Sequence, residues 1–206
     1  MTALVQTDWT NEFTSATPVD GTLLKTTAGM MWGTKVATRH GWRAVETLQP
    51  GDMVLTFDNG LQPVAHVGQH DLMAAHRPQS IEDWPLAVPT GALGNLAPLI
   101  LTPGQVVLIE SDLAERMFAD PFVAIPASCF DGINGISRVR PADQFNVCTL
   151  HFEEDQVVFG AGGVMLVCEG DGDLLTSSGQ EAYPVLTGEL AAEVLSEGVL
   201  PAGAEF

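Results

Sequence analysis

Short apolar runs separated by turn residues dominate the chain from Gly33 to about residue 163. The runs are about five to seven residues long, which is typical of β-strands, and they read TKVAT, RAVETL, DMVLTFD, QPVAHVGQH, PLAVP, LILT, QVVLIE, FVAIPA, NVCTLHF and DQVVFGAG. Gly or Pro stands in turn sequences between them, such as QPGD, DNG and TPGQ, where tight turns need these residues. The pattern predicts an all-β, mostly antiparallel domain.

Two segments follow a helical period instead. SDLAERMF begins with Ser111 as a predicted N-cap and carries its apolar residues at helical spacing, namely Leu113, Met117 and Phe118. TGELAAEVLSEG has Thr187 as the predicted cap and Gly198 as the stop, with an apolar face of Leu190, Val194 and Leu195. The sequence therefore predicts one or two short helices beside the strands.

These patterns divide the chain into three parts. Residues 1–28 are polar, rich in Thr and without a clear period, which predicts an N-terminal arm or one edge strand. Residues 29–170 form the predicted β domain. Residues 171–206 are predicted to be a linker followed by the C-terminal helix.

Composition narrows the class of protein. The chain has 206 residues, of which 46% are hydrophobic, so it is long enough for one full core and too apolar for general disorder. It has no uninterrupted apolar run of bilayer length, and its N-terminus lacks the basic and apolar regions of a signal peptide. These features predict no membrane partner. The location is left open between the cytoplasm and export by a non-classical route.

The charge balance excludes a further class of partner. There are 26 acidic residues against 8 Lys and Arg, for a formal net charge of −18, and nucleic-acid binding requires clustered cations. The acidity is interpreted as a source of solubility, in a saline habitat or otherwise, before it is interpreted as a docking surface. The three cysteines, Cys129, Cys148 and Cys168, have no CxxC spacing and do not predict a disulfide framework.

The stretch GTKVATRHGWRAVETLQPGDMVLTFDNGLQPVAHVG resembles the opening of a Hint domain, in the bacterial branch of the module shared by hedgehog C-terminal regions and inteins. The likeness continues in order through GALGN, LILTPGQVVLI, VAIPASCFDGINGI and CTLHFEEDQVVFGAG, and so covers about Gly29 to Gly163. It implies a horseshoe-like, pseudo-twofold β domain, in agreement with the strand pattern.

The resemblance also implies a self-cleaving reaction. In the family, a Cys or Ser at the first residue of the domain attacks the carbonyl of the preceding peptide bond. A His in a Thr-x-x-His motif protonates the departing nitrogen, and a later Asp or His assists.

This chain departs from that chemistry at the polar positions. The family nucleophile aligns with Gly29, which has no side chain to attack with. The second motif keeps Thr102, but Gln105 replaces its His, and an amide does not transfer protons near neutral pH. Thr149 and Asp155 stand where relatives often have His. The resemblance is therefore to a degenerate member, with no confirmed catalytic residue.

Threonines near Gly29 are the remaining candidates for a nucleophile. Thr26 and Thr27 precede it and Thr34 follows it, while no Cys or Ser lies between Ala16 and Met31. A threonine hydroxyl is a weak nucleophile unless an adjacent base activates it. The simpler interpretation is that these threonines lie at strand edges.

Two pairs of side chains have alternative interpretations. His66 and His70 lie on a predicted strand, where residues four apart share a face. Without a third ligand nearby in sequence they indicate a surface pair, and no metal or other cofactor is predicted. Trp32 and Trp42 flank the vacated site, where they line a groove or close an edge of the core.

The leading functional hypothesis is a binding or structural module without autoprocessing activity, and so not an enzyme. The former cleft is then either filled or a notch that holds the chain's own N-terminal arm or a protein or peptide partner. Two alternatives remain: slow autoproteolysis near Ala28–Gly29 by an N-to-O acyl shift, and membership of a larger bacterial or phage-like assembly.

Overall fold

The computed structural model describes residues 28–73, 81–140, 144–160, 162–170 and 183–197. Residues 1–27 of the predicted arm and residues 171–182 of the predicted linker lie outside the described residues. Within the described ranges, no helix is both long and apolar enough to cross a bilayer.

Two antiparallel sheets form the domain, which confirms the all-β fold class. The strands are β1 (Met30–Met31), β2 (Lys35–Thr38), β3 (Gly41–Ala44), β4 (Met53–Thr56), β5 (Gly60–Pro63), β6 (His66–Met73), β7 (Leu86–Val88), β8 (Leu99–Leu101), β9 (Val106–Glu110), β10 (Phe122–Pro126), β11 (Ser137–Arg138), β12 (Gln144–His151), β13 (Gln156–Gly160) and β14 (Val164–Cys168). The first sheet has the order β11-β7-β8-β1-β12-β6. The second has the order β10-β9-β14-β13-β2-β4-β5, with β3 paired to β2.

The second sheet contains a strand that was not predicted from the sequence. β14 lies between β9 and β13, and most of its residues are buried. Its apolar run VMLVC lies between Gly163 and Gly170 and has the same unbroken pattern as the predicted runs of β9 and β13, so the sequence carried the signal for this strand although it was not predicted. Conversely, the predicted strand RAVETL is shorter than expected. It ends after Ala44, and Val45–Thr47 form a 3-10 turn with Val45 in the core.

The two helices are α1 (Asp112–Phe118) and α2 (Gly188–Ser196). Ser111 caps α1 as predicted, since its side chain accepts a hydrogen bond from the Ala114 N–H. The expected apolar face of α1 is wrong in part: Ala114 is buried, whereas Met117 and Phe118 are exposed. Ala114 lies one turn before Phe118, so the buried stripe of this short helix is narrower than its composition suggests.

Helix α2 packs on the domain through a face that includes two of its three predicted residues, Val194 and Leu195. Ala191, Val194 and Leu195 are buried in the same cluster as the strand residues, whereas Leu190 is exposed. Thr187 precedes the helix, but its side chain makes no capping hydrogen bond. The predicted stop at Gly198 lies outside the described residues.

Strand β1 places the candidate site at the centre of the first sheet. It lies between β8 and β12, so Met30 is paired with Leu101 on one side and with Cys148 on the other. Gly29, directly before β1, is therefore held between two strands that come from distant parts of the chain.

Candidate functional site

Two side chains from the β8–β9 turn hold the backbone of Gly29. The Gly29 N–H donates a hydrogen bond to Gln105 Oε1 at 3.2 Å, and Thr102 Oγ1 donates to the Gly29 carbonyl at 3.0 Å. Both side chains belong to buried residues, so these bonds are shielded from water. The structure thus brings together three of the residues that the family alignment singled out.

The Gln105 amide is fully engaged. Its Nε2 donates to the carbonyl oxygens of Val106 at 3.0 Å and Val167 at 2.9 Å, while Oε1 accepts from Gly29. The opposite orientation of the amide would face an NH₂ toward an N–H and an oxygen toward two carbonyls. The surrounding backbone therefore fixes which atom of Gln105 faces Gly29.

No space remains at Gly29 for a side chain. Its φ is +141°, and a β-carbon built there would lie 2.3 Å from Val147 Cγ1 and 3.2 Å from the Cys148 carbonyl oxygen. The same β-carbon would touch Thr149 Cγ2 at 3.4 Å. Strand β12 therefore fills the volume that a nucleophile at this position would need.

The two later family positions lie in different surroundings. Thr149 is half-buried beside Gly29, and its Oγ1 is 3.0 Å from Nε2 of His151. Asp155 is exposed, and its Oδ1 accepts a hydrogen bond from the Gly170 N–H at 2.7 Å. Thr149 is thus part of the Gly29 cluster, whereas Asp155, just before β13, is bonded to Gly170, just after β14.

The buried thiols are in the neutral form at ordinary pH. Burial raises the pKa of Cys148, the neighbour of Met30 on β12, to about 11. Burial also raises the pKa of Cys168 to about 12, with a smaller contribution from the Glu169 charge. Because the thiolate is the nucleophilic form, neither group is activated for attack.

The other candidate residues contribute less. Thr34 is buried, its N–H donates to the Met31 carbonyl and its carbonyl accepts from Val45, while Thr26 and Thr27 lie outside the described residues. His66 faces His151 across the strands, with ring centroids 5.8 Å apart; the side chain of His70 is not described. No group of three His, Cys, Asp or Glu residues that could hold a metal occurs in the described ranges.

Trp32 and Trp42, which were predicted to line a groove or close an edge of the core, line an open groove of about 550 Å³ beside β1. One wall is the turn that carries Trp32, and the other is the segment leading into β8. The lining also includes Trp42, Lys35, Leu96, Pro98 and Ile100. The contribution of the segment 96–100 was not predicted, because nothing in its sequence marks these apolar residues as exposed.

A model of the Hint domain family matches residues 28–166, well over half of the chain. The chain belongs to the Hint family. Two similar solved structures are the gp41-1 intein (13% identity, covering 69% of this chain and 98% of that chain, TM-score 0.40) and the bacterial intein-like domain from Clostridium thermocellum (13% identity, 69% and 98%, TM-score 0.43). No curated protein matches the chain.

Proposed function

We propose that this Hint domain does not process itself and that its fold serves as a binding or structural module. The observation that carries the proposal is the occupied space at Gly29, where Val147 stands in place of any nucleophilic side chain. A nucleophile has to reach the Ala28 carbonyl carbon, and residue 29 offers no atom that can do so.

The hydrogen bonds around the Ala28–Gly29 peptide oppose its cleavage in a second way. Departure of an amine requires a proton on the Gly29 nitrogen. Here that nitrogen donates its own hydrogen to Gln105 Oε1, and an amide oxygen has no proton to return. Gln105 therefore stabilises the intact planar peptide bond instead of its departing form.

Thr102 reinforces the same arrangement. Its hydroxyl donates to the carbonyl of Gly29, which belongs to the Gly29–Met30 peptide and not to the Ala28 carbonyl that a nucleophile would attack. Thr102 and Gln105 together fasten the start of β1 to the β8–β9 turn. Thr102 and Gln105, which stand at the family's catalytic positions, thus hold the start of β1 in place.

The mass of the intact chain tests this proposal. Purified protein is incubated for several days at neutral pH, with and without dithiothreitol or hydroxylamine, which cleave thioesters and esters. We expect the mass to stay at that of the full 21.8 kDa chain. A product that begins at Gly29 would overturn the proposal, and such a product formed only in hydroxylamine would indicate an ester formed by a threonine, whereas a cut at Asn59–Gly60 is a side reaction of hydroxylamine itself.

The binding role requires a partner. The chain's own N-terminal arm and a separate protein or peptide are the two candidates that follow from the sequence. Because Gly29, Thr102 and Gln105 are buried, the former catalytic position offers no open notch in the described residues. The Trp32–Trp42 groove supplies an open surface instead.

A further inference from the structure

The groove beside β1 concentrates exposed apolar side chains. Trp32 and Trp42 are each 48% exposed, Ile100 is 38% exposed, and Leu96 is 78% exposed. Scattered surface hydrophobics are ordinary, but several that line one groove are typical of an interaction site. Tryptophan is also the residue that most often anchors such interfaces.

The lining of the groove contains no acidic residue, and the nearby carboxylate of Glu46 accepts a hydrogen bond from the N–H of Gly33 at 3.0 Å. Lys35 is the one charged residue among those that line the groove, and no carboxylate is among them. Of the basic residues of the neighbouring hairpin TKVATRHGWRA, Lys35 lines the groove, whereas Arg43 pairs with Val36 on the opposite face and forms an ion pair with Asp52 at 2.9 Å. In a chain of net charge −18, a groove whose lining has a lysine and no carboxylate is suited to a partner that carries both apolar and acidic side chains.

The strand register places charge and indole on one face. Lys35 pairs with Ala44 and Ala37 pairs with Trp42, and residues directly opposite each other, like residues two apart on one strand, point to the same side. Lys35 and Trp42 therefore project together into the groove. A ligand that combines aromatic residues with carboxylates would satisfy both.

We propose that the groove binds the chain's own segment TDWTNEFTS, residues 7–15. This segment combines two aromatic residues, Trp9 and Phe13, with two carboxylates, Asp8 and Glu12. It lies outside the described residues, and the assignment rests on its sequence and on the chemistry of the groove. It also rests on the proposed function, because cleavage at Ala28–Gly29 would release the segment.

The connection between the segment and the groove is short. About fifteen residues separate Phe13 from Ala28, and a chain of that length spans at most about 50 Å. Met31, on the groove wall, follows Ala28 by a few residues. Such a tether gives an effective concentration on the order of millimolar, so a weak contact suffices for occupancy. A second copy of the chain is disfavoured, because two molecules of net charge −18 repel each other.

Peptide binding to full-length variants tests this assignment. The probe is a fluorescein-labelled synthetic peptide TDWTNEFTS, followed by fluorescence anisotropy. In the variant W9A/F13A the tethered segment has lost its anchors, and we expect the peptide to bind with a Kd of about 0.1 mM or lower, one tenth of the effective concentration of the tethered segment. The wild-type chain should bind the peptide at least about tenfold more weakly, because its own segment competes.

Further substitutions in the W9A/F13A background locate the binding surface. Trp42→Ala should weaken peptide binding at least about tenfold. Lys35→Glu should weaken peptide binding less than Trp42→Ala does, and should make the affinity less dependent on salt concentration. Leu61→Ala, which truncates an apolar side chain of similar exposure on β5, is the matched control and should leave the affinity unchanged.

Each contrary result has a definite meaning. Absence of peptide binding to W9A/F13A, or insensitivity to Trp42→Ala, would overturn the groove as the binding surface. Equal binding to the wild-type chain would overturn occupancy by the tethered segment and leave the groove to a separate peptide. A wild-type dimer in light scattering that Trp42→Ala dissociates would assign the groove to a second copy. Intact mass measured on the same samples reports separately on the proposed function.

Discussion

At the scale of the residue, the surroundings of Gly29 leave no space for a side chain. The resemblance placed Gly29, Thr102 and Gln105 at the family's catalytic positions, and the structure shows the side chains of Thr102 and Gln105 bonded to the backbone of Gly29. The part played by Val147 could not be predicted, because only the pairing of β1 with β12 brings it onto Gly29. Two independent obstacles, a φ of +141° and the Val147 methyl group, oppose any side chain here.

Substitution of Gly29 by Ala should destabilise the fold by about 2–4 kcal/mol, since it adds backbone strain and an overlap with Val147. Gly33→Ala is the matched control, because Gly33 also has a positive φ (+87°) but open space around its β-carbon. It should cost about 1–2 kcal/mol. Urea denaturation of the three proteins gives both values.

A double variant isolates the overlap. Val147→Ala removes the methyl group that a β-carbon at residue 29 would meet. We expect G29A/V147A to be about 1 kcal/mol or more less destabilised than the sum of the two single variants. Simple additivity would show that Val147 does not exclude a side chain from this position.

At the scale of the element, strand and helix existence followed from periodicity, while their buried faces followed from packing. The apolar runs bounded by Gly and Pro were recognisable as strands, and β14, whose apolar run lies between Gly163 and Gly170, carries the same signal although it was not predicted. In α2, Leu190 and Ala191 are adjacent and both apolar. The helix contacts the 3-10 turn at Ala127–Phe130, and Ala191 is the one of the two that is buried.

The docking of α2 is open to a direct test. Val194→Ala should destabilise the whole domain by about 1–2 kcal/mol, because Val194 is buried in the common core. Leu190→Ala, on the exposed side of the same helix, should change stability by no more than about 0.5 kcal/mol. Equal effects of the two substitutions on the urea midpoint would mean that α2 is not fastened through this face.

At the scale of the whole molecule, one core joins strands of both sheets and α2. It encloses a thiol in each sheet, Cys148 on β12 and Cys168 on β14, both in the neutral form. A folded-state pKa above that of the unfolded chain means that the native protein holds its thiol proton longer. Stability from this source is full below the unfolded pKa, which is about 8.5. It is lost as pH rises toward about 11 and about 12, the folded values for Cys148 and Cys168.

The free energy of unfolding should therefore fall with rising pH from about pH 9 upward. In the variant C148A/C168A this slope should be clearly smaller, although Tyr183, whose pKa is also raised by burial, keeps part of it. Cys129→Ala is the control, since this half-buried thiol should contribute less to the slope. Urea titrations at a series of pH values measure the slopes, and an unchanged slope in C148A/C168A would contradict the burial of these thiols.

The sequence by itself determined the family, the all-β class, the capped helix α1 and the absence of a nucleophile at Gly29, because each is written in local spacing or in the identity of one residue. Only the tertiary structure decided what surrounds Gly29. Val147 lies where a side chain of residue 29 would be, Gln105 bonds to three backbone groups, and the Trp groove opens beside β1, all through contacts between segments distant in the chain. Local sequence sets which groups are available, whereas strand pairing sets which of them meet.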